Sequence, residues 1–118
     1  MLAIIDKVDS GKTRRLLRMC SLIDGLFICA HPERVLDKCK AYNIKPVRSA
    51  SFSQIPDMIN KEDSIYIDDI DKLVKFLDTA YTKEEADSYL SNILLKTKEY
   101  TYSCDDNVSY IRKLLGDR

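Results

Sequence analysis

Leu2-Ala3-Ile4-Ile5-Asp6-Lys7-Val8-Asp9-Ser10-Gly11-Lys12-Thr13-Arg14-Arg15-Leu16-Leu17 begins with an apolar run, crosses a short polar loop ending in Gly-Lys-Thr and enters a segment with helical spacing. A strand, such a loop and a helix together make a phosphate cradle. Backbone N–H groups wrap the oxygens, the helix N-terminus faces them and the lysine adds a point charge. On this reading Ser10, Gly11, Lys12 and Thr13 bind phosphate, with Lys12 over the β- and γ-phosphates of a nucleotide such as ATP and the Thr13 hydroxyl ligating Mg2+. The plainer alternative is an exposed turn before a helix-starting threonine. The full loop pattern reads Gly, four residues, Gly-Lys-Ser/Thr, and its first glycine would fall at position 6, where this chain has Asp6.

The usual second half of such a site is an apolar strand ending in acids, and Ile65-Tyr66-Ile67-Asp68-Asp69 fits it. Asp68 is expected to hold the magnesium from the end of a strand lying beside the first, and Asp69 to polarise the attacking water as the catalytic residue. Glutamate is commoner in that last role, and the shorter side chain predicts slow hydrolysis. Asp68-Asp69-Ile70-Asp71 also reads as a helix N-terminus with carboxylates facing the dipole.

Strand-like runs and helical faces alternate along the rest of the chain. Residues 14–23 put Leu16, Leu17, Cys20 and Ile23 on one helical face and Arg14, Arg15 and Arg18 largely on the other, until Asp24-Gly25 ends the helix. Residues 26–30 are continuously apolar, as in a strand buried on both faces. Pro32 opens a second helix with Val35, Leu36, Cys39 and Tyr42 inward, closed by Asn43. A weak strand at 47–50 leads to a short amphipathic piece at 52–59, limited by Pro56, and the strand at 64–68 follows. Ile70, Leu73, Val74 and Leu77 line another helix. Ala86, Leu90, Ile93, Leu94 and Thr97 line one spanning about 84–98, then comes a β-rich strand at 100–104 and a closing helix at 108–115. The expectation is a single domain of α/β class, a three-layer sandwich on a mainly parallel five-stranded sheet, with the phosphate loop at the carboxyl end of the first strand.

Composition narrows the partners. Lysine plus arginine and aspartate plus glutamate both total 19 in 118 residues, so no global basic field argues for nucleic acid. The arginines of the first helix read as a solvated face, and Tyr100, Tyr102 and Tyr110 as core rather than base-stacking residues. Cys20, Cys29, Cys39 and Cys104 show no Cys-x-x-Cys spacing, which argues against zinc, and the apolar or helical settings of Cys20, Cys29 and Cys39 fit reduced core thiols. His31 has no evident partner. With no signal peptide and no membrane-length apolar run, the expected location is cytoplasmic.

With these residues in place, the chain resembles the phosphate-loop NTPases, and among them the additional-strand class that includes superfamily-1 helicases. Leu26-Phe27-Ile28-Cys29-Ala30-His31-Pro32-Glu33-Arg34 is similar to the strand and helix start after the first helicase helix, and Ser49-Ala50-Ser51-Phe52-Ser53-Gln54-Ile55 to the next, phenylalanine-containing segment. Small phage-encoded ATP-binding proteins show the same order. The resemblance covers about residues 1–77. It implies that the first strand lies between the Asp68 strand and the last strand, and that a sensor falls at Cys104-Asp105-Asp106-Asn107, where Cys104 replaces glycine and no glutamine follows. Essential arginines of helicases come from a second motor domain that this length lacks; Arg48 and Arg112 are on hand without an assignable role.

Asp6 sets the functional expectation. A carboxylate several Å from a polyanion costs on the order of 1–4 kcal/mol at surface-like dielectric, or about one to three decades of affinity, and Asp9 adds to it. The first expectation is therefore a degenerate phosphate-loop protein, host-cytoplasmic if phage-encoded, that binds ATP and Mg2+ weakly and hydrolyses slowly or with a protein partner. The alternative is a catalytically inactive fold used as a protein-binding inhibitor of a host defence complex. A DNA-contacting factor ranks third, and no membrane role is expected.

Overall fold

In a computed structural model that describes residues 1–6 and 11–103, five short strands pair in a single all-parallel sheet of order β1-β5-β4-β2-β3. The strands are β1 (Leu2–Asp6), β2 (Leu26–Ile28), β3 (Arg48–Ala50), β4 (Ile65–Ile67) and β5 (Thr97–Ser103). The helices between them are α1 (Lys12–Leu22), α2 (Val35–Ala41), α3 (Ile55–Met58), α4 (Ile70–Ala80) and α5 (Lys83–Lys96), with single 3-10 turns at Pro32–Arg34, Phe52–Gln54 and Ile59–Lys61.

Strand alternation divides the apolar residues between the two faces. Leu26, Ile28, Ile65, Ile67, Tyr100 and Tyr102 pack with α4 and α5, whereas Phe27, Cys29 and Tyr66 pack with α1 and α2. Every residue of β2 and β4 is buried, as a parallel strand covered on both faces requires. The three described cysteines are free and buried.

The helix ends follow from local chemistry. At the end of α1, Asp24 takes the left-handed conformation (φ 55°) and the Gly25 amide donates to the Cys20 carbonyl at 3.0 Å. At the end of α2, Asn43 does the same (φ 57°) and the Ile44 amide donates to Cys39 at 2.8 Å. Both are Schellman closures with Asp or Asn in place of the usual glycine. Gly25 is needed for space instead: a Cβ there would lie 2.8 Å from the Tyr66 ring.

Several expectations are corrected. The first strand does not lie between the Asp68 strand and the last one: β5 lies between β1 and β4, and β1 has one strand neighbour among the described residues. The physical reason is burial. Of the seven residues of β5, only Lys98 is exposed, and Tyr100 and Tyr102 join the core on one face while Glu99 and Thr101 are buried on the other; β1 is largely exposed. The longer, doubly covered strand takes the interior. Helix α5 stops at Lys96 and passes straight into β5, so residues 97 and 98 are strand rather than helix. The Thr97 hydroxyl donates to the Ile93 carbonyl at 2.8 Å at this junction. Ile23 and Leu36 are half or more exposed rather than inward, because each falls beyond the stripe of its helix that meets the sheet. The closing helix expected at 108–115 and Tyr110 lie outside the described residues. Among the described residues no helix is long and apolar enough to cross a membrane.

Candidate functional site

The carboxyl ends of β1, β4 and β5 meet the N-terminus of α1 at one edge of the sheet, because all the strands run the same way. Gly11, the residue before α1, has φ 88°, a left-handed conformation that a side chain would strain, and its carbonyl accepts the Arg15 amide at 3.1 Å. Lys12 then starts the helix and is only 6% exposed, exceptional for a lysine.

Thr13 and Asp68 are 55 residues apart in sequence, yet the Thr13 hydroxyl lies 3.0 Å from Asp68 Oδ2 and 3.2 Å from Oδ1. They meet although β4 is not beside β1, since α1 packs across the sheet and touches β5 and β4. Asp68 is buried, which pushes its carboxyl above the usual range; the neighbouring Asp69 charge adds to this, while hydrogen bonds from Thr101 and Thr13 and the Lys38 charge oppose it.

Thr101 links both acids. Its hydroxyl, fully buried on β5, donates to Asp68 Oδ1 at 2.7 Å and accepts the Asp69 amide at 2.8 Å. Asp69 has φ 59° and stands immediately before α4, with its carbonyl accepting the Lys72 amide at 2.9 Å. The helix-N-terminus alternative thus describes its backbone, but its side chain makes no cap. Instead the carboxylate meets Lys72 Nζ at 3.5 Å and the Ser103 hydroxyl at 3.5 Å.

A cleft of about 400 Å³ opens above these groups, lined by Gly11, Lys12, Thr13, Arg14, Lys38, Tyr42, Asp69 and Ser103. Gly11, Lys12, Thr13 and Asp69 are thereby brought together, with Asp68 bonded to Thr13. Ser10 lies outside the described residues, as do Cys104, Asp105, Asp106 and Asn107 of the expected sensor, and Arg112. Asp6 ends β1 in register with Ser103, so it comes to the same edge, and it is exposed.

The Thr13 and Asp68 oxygens are hard donors, and magnesium takes few protein ligands, completing its shell with phosphate oxygens and water. A hydroxyl keeps a lone pair for a metal while its proton goes to the carboxylate. The donor set fits a magnesium that keeps ligands from outside the protein; among the described residues no three His, Cys, Asp or Glu side chains converge.

Thr101, Ser103, Lys38 and Tyr42 did not emerge from the sequence as site residues. Lys38 and Tyr42 stand four apart at the end of α2, a spacing that would have placed them on one face. Nothing marked Thr101 before the sheet order was known. Arg48 belongs elsewhere: at the start of β3 it holds Glu62 through two bonds of 2.8 and 3.0 Å and donates to the Asp24 carbonyl at 3.0 Å. His31, exposed before the first 3-10 turn, meets Glu33 at 3.2 Å. Arg14, Arg15 and Arg18 are exposed, and Arg14 lies 5.8 Å from the Tyr42 ring centroid. No family model matches the chain, and neither does any curated protein or any solved structure.

Proposed function

We propose that the chain is a small phosphate-loop protein that binds a nucleoside triphosphate with magnesium and turns it over slowly or with a partner. One observation carries the reading: Thr13 and Asp68, assigned to one metal from the sequence, hydrogen-bond to each other beside the buried Lys12.

In this reading the amides at the start of α1 and Lys12 bind the phosphates, and Thr13 and Asp68 hold the metal. Magnesium, when bound, neutralises phosphate charge. Thr101 holds Asp68 in place and fixes the Asp69 backbone. Asp69 polarises water, and its side chain, shorter than the usual glutamate, accords with slow turnover. Arg14 and Lys38 attract the polyanion, against the repulsion of Asp6.

Calorimetric titration with ATP and magnesium tests this, with Lys12→Ala and Asp6→Gly alongside. Binding by the wild type that tightens by about one to three decades in Asp6→Gly and vanishes in Lys12→Ala is the expected result. No binding by wild type or Asp6→Gly would reject it.

A second reading has its own observation. β1 presents an apolar edge, with Leu2 65% and Ile5 37% exposed and one strand neighbour among the described residues. Such an edge suits strand addition by a protein partner, as in an inactive fold used as an inhibitor. Loss of a biological effect in Ile5→Lys but not in Lys12→Ala would favour it.

A further inference from the structure

The cleft holds a cation that the phosphate-loop pattern does not include. Lys38 comes from α2, outside both the loop and the acid strand, yet it lines the same cleft as Lys12, Thr13 and Asp69. It is half-buried, whereas its helical neighbours Asp37 and Lys40 are exposed. Tyr42, one turn further on, lines the cleft as well, and its ring carries the Arg14 guanidinium, so α2 forms a wall that also orients a cation from α1. Lys38 lines the cleft together with Asp69, the neighbour of Asp68, which places its ammonium in the same cavity as the acids.

The acid end is where the last phosphate of a chain would lie, beyond the inner ones held by the start of α1 and beside Lys12, which reaches over the β- and γ-phosphates. Three cations, Lys12, Arg14 and Lys38, face one lining carboxylate, Asp69. A triphosphate has a terminal group left to neutralise beyond the helix N-terminus, and a diphosphate has none.

We infer that Lys38 binds the terminal phosphate of a nucleoside triphosphate, supplying from within this chain a cation at the reacting phosphoryl group and making the cleft selective for triphosphate over diphosphate. The inference rests on the nucleotide-binding reading above and assigns it a substrate class. No covalent step by Lys38 is involved. It acts as a fixed charge, with a flexible stem that follows the phosphoryl oxygens.

The test is calorimetric titration of the whole protein with magnesium-ATP and magnesium-ADP for wild type, Lys38→Met and Lys38→Arg, in the Asp6→Gly background if wild-type affinity is low. Lys38→Met is expected to weaken ATP about tenfold or more while changing ADP less than about threefold, and Lys38→Arg to keep most of the preference. Equal weakening of both nucleotides would assign Lys38 a merely structural role, and unchanged ATP affinity would remove it from the site; either overturns the inference while leaving nucleotide binding intact. Failure of wild type and Asp6→Gly to bind any nucleotide would overturn both readings.

Discussion

Thr101→Val replaces a fully buried hydroxyl with a methyl of nearly the same shape and removes two hydrogen bonds at once. One is donated to the Asp68 carboxylate at 2.7 Å, and bonds to charged groups contribute about 1.5–3 kcal/mol. The other is accepted from the Asp69 amide at 2.8 Å, and an ordinary bond contributes about 0.5–1.5 kcal/mol. Burying valine in place of threonine returns some hydrophobic free energy, so the net loss is expected at about 2–3 kcal/mol. Thr101→Ser keeps both bonds and gives up only a methyl, for about 1 kcal/mol. Urea unfolding followed by circular dichroism measures all three proteins, with unchanged slopes confirming that stability alone has moved. A Thr101→Val loss under about 0.5 kcal/mol, or a Thr101→Ser loss as large as that of valine, would refute the claim that this hydroxyl holds the acid pair. If the reasoning holds, Thr101→Val also weakens magnesium-dependent binding.

Gly25→Ala should destabilise by about 1–3 kcal/mol in urea melts, because the new Cβ meets the buried Tyr66 ring at 2.8 Å; Tyr66→Leu added to it should recover part of the loss. Burial first, then the charge of Asp69, raises Asp68 above its unfolded value, so the folded state binds the proton more tightly and this stability is lost as pH rises through the folded value. Asp68→Asn should therefore gain stability relative to wild type between the acid range and neutrality, and a difference that does not change with pH would contradict this. Burial pushes the Cys20 thiol up to about 12 and the Cys29 thiol up to about 11. With Cys104 replaced by serine, a thiol reagent near neutral pH should label none of the three buried cysteines in the folded protein and all three in urea, and rapid labelling without denaturant would disprove that burial.

The local grammar of this chain was readable where a single signal sufficed. Ile70, Leu73, Val74 and Leu77 recur at helix spacing and are all buried in α4, and Asn43 closes α2 as expected. Of the continuous apolar run at 26–30, residues 26–28 form a buried strand. The reading faltered where the outcome depends on which element lies alongside. Ile23 and Leu36 are as apolar as their buried neighbours, yet the structure leaves them 50% and 61% exposed, Ile23 just past the last residue of α1. Leu2-Ala3-Ile4-Ile5 looks more like an interior strand than Thr97–Ser103 does, yet the edge goes to the former, because Tyr100 and Tyr102 have large faces to bury and Thr101 has two acids to bind. At the candidate site, Gly11, Lys12, Thr13, Asp68 and Asp69 formed a pattern in sequence. Thr101 and Lys38 could not, since their relevance comes from strands and helices brought together by the fold.

The position of β5 also dictates an order of events during synthesis. β1 leaves the ribosome first, but its strand partner lies 97 positions later, where Leu2 registers with Glu99. At about 5–20 residues per second, roughly 5–20 s pass before that partner is made. Once residue 67 is made β2, β3 and β4 can pair with one another, whereas among the described strands the first has no neighbour until β5. β5, the last of the described strands, is therefore the keystone, and the cleft beside Lys12 and Asp68 cannot be assembled before it arrives. Long-range closure of this kind slows folding, and a nascent apolar segment left waiting is an opening for aggregation or for a chaperone.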